Sequence, residues 1–200
     1  EEKIKHDESY SASKVNVIGV ISFLMGFTQA TVIYVMSSYF KMATGSENVG
    51  LFYFIAYSIV LVILLNFHKA VKLIGKANAF YFSLLFKIIV IAVIIFTPMS
   101  FLTAVLLIFY LIFSGLEWAS LDVILESFSV DQKSGRIRGK HLTLINAGYL
   151  FGPFLATKLL DHFDFIGIFL FIFIVNSVIL VMTLINFRSI NHHFEGKVSV

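Results

Sequence analysis

Two charged residues stand where the surrounding sequence makes charge costly. Lys87 lies midway through the apolar run 77–97, and Glu117 lies inside the apolar run 101–127. In hydrocarbon an ammonium or a carboxylate needs a partner or a watery cavity, and such groups mark ion pairs or transport pathways. Ser83 is one turn from Lys87, while Tyr110 and Ser114 share a stripe with Glu117 at the i, i+3, i+4 spacing. The short connection Thr97-Pro98-Met99-Ser100 makes the two runs antiparallel neighbours, so Lys87 is expected to pair with Glu117. Two chemistries are then open. The pair neutralises two costly charges and fixes helix register, or Glu117 holds a substrate or a coupling proton.

The remaining polar residues inside apolar runs fall into groups. Gly19, Ser22, Gly26, Gln29 and Ser37 share one face of the first run. That face suits either close helix approach or a polar cavity. The amide of Gln29 has several hydrogen-bonding sites to satisfy, which favours a cavity over lipid. Gly148, Gly152 and Ala156 recur at four-residue spacing as a small-residue packing ridge, and Pro153 frees a backbone carbonyl beside it. Asn146, Tyr149 and Thr157 adjoin that ridge, with Asn146 open to interhelical bonding or to ligand contact. Asn176 reads as packing glue. Asp122 and Glu126 form a stripe with Trp118 near the basic segment that follows, close enough to the interface to meet water.

Other chemistries lack their residues. There is no cysteine, which excludes disulfides and thiol nucleophiles. His192, His193 and Glu195 are adjacent in a polar tail and lack the spacing of a helical metal site. No phosphate-cradling glycine loop and no Gly-x-Ser-x-Gly motif occurs. No catalytic residue, metal ligand or cofactor is assigned, and an enzyme is not expected.

The elements that must position these residues follow from composition. Of the 200 residues 58% are hydrophobic, 23 are Phe and only 14% are charged; the mean hydropathy is +0.92. A soluble domain carries roughly 25% charge, so much of this apolar surface must face lipid. The net charge of +3 does not point to nucleic acid, because the basic residues flank apolar runs instead of forming a patch. Six runs, at 15–40, 49–67, 77–97, 101–127, 139–160 and 165–187, each approach the roughly 20 residues of a membrane-spanning helix. The turn cluster Ala43-Thr44-Gly45-Ser46-Glu47-Asn48 and two strongly basic loops, 66–76 and 131–140, separate some of them.

The expected fold is therefore an all-α membrane protein, a six-helix transmembrane bundle over 15–187. A cytoplasmic segment, 1–14, precedes it, and a cytoplasmic tail or linker, 188–200, follows. With the N-terminus inside, Lys3, Lys5, Lys14, Lys69, Lys72, Lys76, Lys133, Arg136, Arg138, Lys140, Arg188 and Lys197 are cytoplasmic, against Lys41 and Lys158 outside. The positive-inside rule thus places both termini in the cytoplasm of a multi-pass cell-membrane protein.

Three segments carry a family resemblance: Leu121-Asp122-Val123-Ile124-Leu125-Glu126, then Asp131-Gln132-Lys133-Ser134-Gly135-Arg136-Ile137-Arg138-Gly139-Lys140, then Asn146-Ala147-Gly148-Tyr149-Leu150-Phe151-Gly152-Pro153. Together they resemble the fourth-to-fifth helix region of the major facilitator superfamily, and six helices with both ends inside look like its N-terminal half. There are departures. In the family's second-to-third loop motif, Gly75 and Lys76 match the second glycine and the following arginine, but His68 and Lys72 replace the first glycine and the aspartate. The fourth-helix arginine tied to proton coupling in some members is absent, and Ala156-Thr157 replaces the closing glycines of the Gly-Pro pattern.

The resemblance implies secondary or facilitated transport of a small solute by alternating access. Its first and fourth helices line a cavity, the second and fifth flank it, and the third and sixth support the bundle. That places Gln29, Tyr34, Tyr57, Glu117, Asn146 and Tyr149 as cavity candidates and makes Lys87 an internal partner. Besides the bilayer and the solute, the implied partner is a second six-helix half, in the same native chain or as a homodimer. The missing initiator Met favours the first arrangement. The alternative is a transporter-like subunit that scaffolds a complex without transporting.

Overall fold

In the computed structural model, residues 12–127 and 134–187 are described, with side chains from 15–126 and 135–187. Every regular element among them is an α-helix: α1 (Ala12–Thr44), α2 (Gly50–Leu65), α3 (Phe67–Ile74), α4 (Lys76–Phe96), α5 (Phe101–Ser127) and α6 (Ser134–Asn186). Local chemistry sets the ends. Gly45 takes φ 69° after α1 and its N–H closes on Lys41 O at 2.8 Å, a turn a Cβ would strain. Gly75, at φ 87°, likewise separates α3 from α4. Thr97 goes extended before Pro98, as the residue preceding proline prefers.

Four of these helices are long and apolar enough to cross a membrane, five with the bent pair α2 and α3 counted as one. At 53 residues α6 would extend ~80 Å if straight, far more than a bilayer. It is broken at Asp164, whose φ of 58° is not helical. Its contacts show that the chain reverses there. Along the first arm, residues 134–163, Lys140 Nζ reaches Asn16 Oδ1 at 2.6 Å. Further on, Gly148 lies against Phe23 to Phe27 and Gly152 against Ala30 and Thr31, so this arm runs parallel to α1. The second arm runs back: Phe165 and Phe169 meet Tyr39, Phe171 meets Phe27, and Phe187 reaches Phe80 at the start of α4. The stretch 134–186 is thus two helices that meet at Asp164 and run in opposite directions.

Two loops of the sequence reading need correction. Residues 66–76 hold α3, because Phe67, Val71 and Ile74 recur at helical spacing and Val71 is buried. The basic segment 131–140 is helical from Ser134 onward, since Ile137 packs into the core with Val15 and Ile18. Residues 1–11, 128–133 and 188–200, with the termini, Asp131 to Lys133 and the His192, His193, Glu195 group, lie outside the described residues.

The interior has two apolar clusters stacked along the bundle. One holds Met36, Phe40, Phe52, Ile91, Leu107 and Phe169. The other holds Ile18, Met25, Phe80, Leu84, Leu121 and Ile179. Around both, the helices present apolar residues outward, such as Phe54, Phe96, Phe154 and Ile185. In water such a surface would be unstable, whereas lipid solvates it. The fold is that of an all-helical, multi-pass membrane bundle.

Candidate functional site, a buried polar layer

Between the two apolar clusters the helices change character. Thr28, Gln29 and Thr31 on α1, Lys87 on α4, Ser114, Glu117 and Ser120 on α5, and Asn176 on α6 are all buried. Antiparallel packing of α4 on α5 puts Lys87 (2% exposed) against Glu117 (0%), and the ammonium forms a salt bridge with Glu117 Oε2. The second carboxylate oxygen, Oε1, has no hydrogen-bond partner among the described residues. Removal from water costs a charge several kcal/mol, which an opposite charge in hydrogen-bond contact offsets in part.

One turn outward, α5 is tied to α1. Ser114 Oγ donates to Gln29 Oε1 at 2.5 Å, and Tyr110 OH donates to the same oxygen at 3.5 Å. Tyr110 in turn lies within electrostatic reach of Glu117, of Tyr57 on α2 and of Tyr149 on α6. Tyr57 and Tyr149 interact with one another as well. Both are part-exposed, at 48% and 38%. These groups form a polar track in outline, part-exposed Tyr57 and Tyr149 outside and Tyr110, Gln29 and Glu117 inside, in which hydrogen bonds join Tyr110 and Ser114 to Gln29 and a salt bridge joins Glu117 to Lys87. Hydroxyls and an amide in this order can hold a polar solute, and a charged pair at the inner end can hold an ionic group.

The six sequence candidates therefore divide. Gln29 and Glu117 are enclosed in the bundle, with Tyr57 and Tyr149 at the mouth of the track. Tyr34 and Asn146 are exposed on α1 and α6, and no hydrogen bond brings them into the layer. Ser83 donates to its own helix at Ala79 O, 2.8 Å away, and so does not serve Lys87. Ser37 is exposed and bonds Tyr53 OH at 3.0 Å. Asn176 bonds back to Ile172 O at 2.7 Å, leaving its Oδ1 without a partner.

The small-residue ridge has a physical use. A Cβ on Gly148 would sit 2.4 Å from Phe23 O, and one on Gly152 2.4 Å from the Ala30 Cβ. On the facing side, a Cβ on Gly26 would sit 2.6 Å from Ile145 O. With buried Ala156 these residues let two backbones touch, which is how helices associate where hydrophobic drive is weak. Pro153 stays inside the helix, where it has no N–H to offer the carbonyl of Tyr149 one turn earlier, and Thr157 Oγ1 donates to the Pro153 carbonyl at 2.6 Å.

The sequence reading missed His141. It is buried on the first arm of α6, with Nδ1 2.7 Å from Ser22 Oγ and Nε2 3.6 Å from Asp122 Oδ1. Ser22 also donates to Ile18 O at 2.6 Å, so the imidazole joins α1, α5 and α6. The available signal was position: His141 stands two turns before Gly148 on the ridge that faces α1. Asp122 itself is mostly exposed, as is Glu126. A shallow groove of about 350 Å³ between Phe23, Phe27, Phe151, Phe154, Leu155 and Lys158 is apolar and shares no residue with the polar layer. Among the described residues no group of three or more metal-ligating side chains occurs.

Among family models, curated proteins and solved structures, none matches this chain. What fold and site define is a class: a multi-pass helical membrane protein with an ion pair and a polar layer buried at mid-bundle.

Proposed function

We propose that this chain forms one wall of a carrier that moves a small polar or charged solute across the cell membrane by alternating access. The observation that carries this reading is the buried polar layer in which α1, α4 and α5 bring the Lys87–Glu117 pair close to the Gln29, Ser114 and Tyr110 hydrogen bonds, with the part-exposed Tyr57 and Tyr149 within electrostatic reach of Tyr110. A purely structural ion pair would not need hydroxyls leading out to the surface. The pairing of α1 with the first arm of α6 is matched by that of α5 with α2, where Gly115 meets Val60. In this reading both termini are cytoplasmic, no cofactor takes part, and the opposite wall is a second six-helix half, in the same native chain or in a second copy.

Ligand-induced thermal shift on the full chain in detergent tests the reading, since a solute that binds the folded state raises its Tm. Sugars, short peptides, organic cations and organic anions are the probes. At least one class is expected to raise the Tm. Gln29→Ala and Glu117→Gln should each abolish that shift while retaining a cooperative transition of their own. If no class shifts the chain, or if the shift survives both substitutions, the scaffold alternative replaces the carrier.

A further inference from the structure

We propose that α3 is an interfacial helix that lies in the headgroup plane of one leaflet and binds anionic phospholipid through Lys69 and Lys72. The inference rests on membrane insertion and not on the transport reading. α2 ends at Leu65, Asn66 leaves helical geometry at φ −111° and ψ 6°, and α3 departs at 61° to α2. At that angle its eight residues add only about 6 Å of depth. Were α3 to continue the span, Lys69 and Lys72 would enter hydrocarbon without a carboxylate partner. Lying flat, it meets the end of a membrane-crossing helix at the depth where headgroups begin.

The side chains sort as such a position requires. At 100° per residue, His68, Lys72 and Lys69 occupy one arc of the helix, while Leu73, Ala70, Ile74, Phe67 and Val71 fill the other. The apolar arc is itself divided. Val71 is buried against the protein, whereas Leu73 is 83% exposed and Ile74 40%. An exposed leucine beside two lysines has no use in water, but at the interface the leucine enters the acyl region while the lysine stems run up to phosphate. Lys69 Nζ donates to Asn66 Oδ1 at 3.0 Å, which holds the ammonium over the helix start and leaves two of its three donors. No acidic residue lies between Gly50 and Phe96, so neither α3 nor the helices on either side of it in the chain carry a carboxylate to repel an anionic headgroup.

The chain has no cysteine, so Leu73→Cys provides a unique attachment point for a bimane fluorophore. The labelled full chain is reconstituted in phosphatidylcholine vesicles carrying a minor fraction of brominated phosphatidylglycerol or the same fraction of brominated phosphatidylcholine. Both lipids should quench the probe, with phosphatidylglycerol the stronger, and aqueous iodide should quench it little. The phosphatidylglycerol preference should fall about fivefold with each of Lys69→Gln and Lys72→Gln. It should persist in Lys69→Arg/Lys72→Arg and shrink at high salt. Dominant iodide quenching would put α3 in water, and quenching by neither lipid nor iodide would mean another protein surface covers it. Either result overturns the proposal, as does equal quenching by the two lipids with both lysines present.

Discussion

At the scale of single residues, the Lys87–Glu117 pair is asymmetric under substitution. Lys87→Met leaves a carboxylate enclosed at 0% exposure, and an uncompensated buried charge costs about 3–5 kcal/mol. Lys87→Met/Glu117→Met removes both charges and should recover most of that loss, because well-packed apolar residues often replace a buried pair at little cost. Unfolding in detergent for the two single variants and the double variant measures the coupling. A loss in the double variant equal to the sum of the two single losses would mean that the pair's attraction contributes nothing. His141 calls for a second residue-scale prediction. His141→Phe deprives Asp122 and Ser22 of a shared partner, but Ser22 keeps its bond to Ile18 O. The expected cost is about 1–3 kcal/mol, larger than that of Asp122→Asn, whose side chain is mostly in contact with solvent. How much of this was legible differs by residue. The depths of Lys87 and Glu117 can be counted from the ends of their runs, whereas the rotation that faces them toward each other depends on helix packing. His141 directly follows the basic segment 131–140, at the polar start of the run 139–160, and only the ridge seven residues on shows which side of the helix it takes.

At the scale of elements, the glycine ridge makes a prediction with an internal control. Gly148→Ala and Gly152→Ala drive a Cβ into the α1 backbone or a fixed Ala30 methyl, and neither neighbour can swing aside as a long side chain would. Each should destabilise by about 1–3 kcal/mol through overpacking. Gly139→Ala lies on the same helix with nothing within 4 Å and should be neutral or stabilising by up to about 1 kcal/mol, the helix-propensity gain of alanine over glycine. Matching losses at all three positions would point to backbone flexibility in place of close packing. This ridge was readable because four-residue spacing of small residues has only a few uses in a membrane helix. The breaks were less so. Lys158, Asp161, His162 and Asp164 announce a polar turn between the last two passes, yet residues 161–163 stay helical and the whole reversal falls on Asp164. Its carboxylate accepts the Phe165 N–H at 2.8 Å, a local bond at a backbone conformation (φ 58°, ψ −166°) that non-glycine residues rarely adopt and that periodicity does not encode. In the same way α3 looks like a loop by charge and becomes a helix by the spacing of its few apolar residues.

At the scale of the whole molecule, the question is which side of the bundle meets lipid and which meets water. Exposed residues alone do not answer it, since Tyr57 and Phe151 are comparably open, at 48% and 54%. Chemistry separates them. Tyr57 and Tyr149 are within electrostatic reach of each other at the outer end of the polar track, and a phenol turned to bare hydrocarbon leaves its hydroxyl unsatisfied at a cost of a few kcal/mol. Phe151 and Phe154 project from another side of the same α6 arm, beside the apolar groove, where lipid suits them. If the track faces an aqueous cavity shared with a second half, single cysteines at Tyr57 and Tyr149 should react with a charged, membrane-impermeant thiol reagent. Cysteines at Phe151 and Phe154 should not. The absence of native cysteine keeps the background at zero, and the full chain in vesicles preserves the lipid boundary. Reaction at all four sites would mean that the bundle is not seated in the bilayer as its apolar surface implies. Protection at all four would put Tyr57 and Tyr149 against lipid or a dry partner, and would leave the buried pair a stabilising element with no path for solute to reach it. Reaction confined to the two tyrosine positions is the pattern that a half-cavity requires, because only there does the polar interior continue to an edge of the bundle.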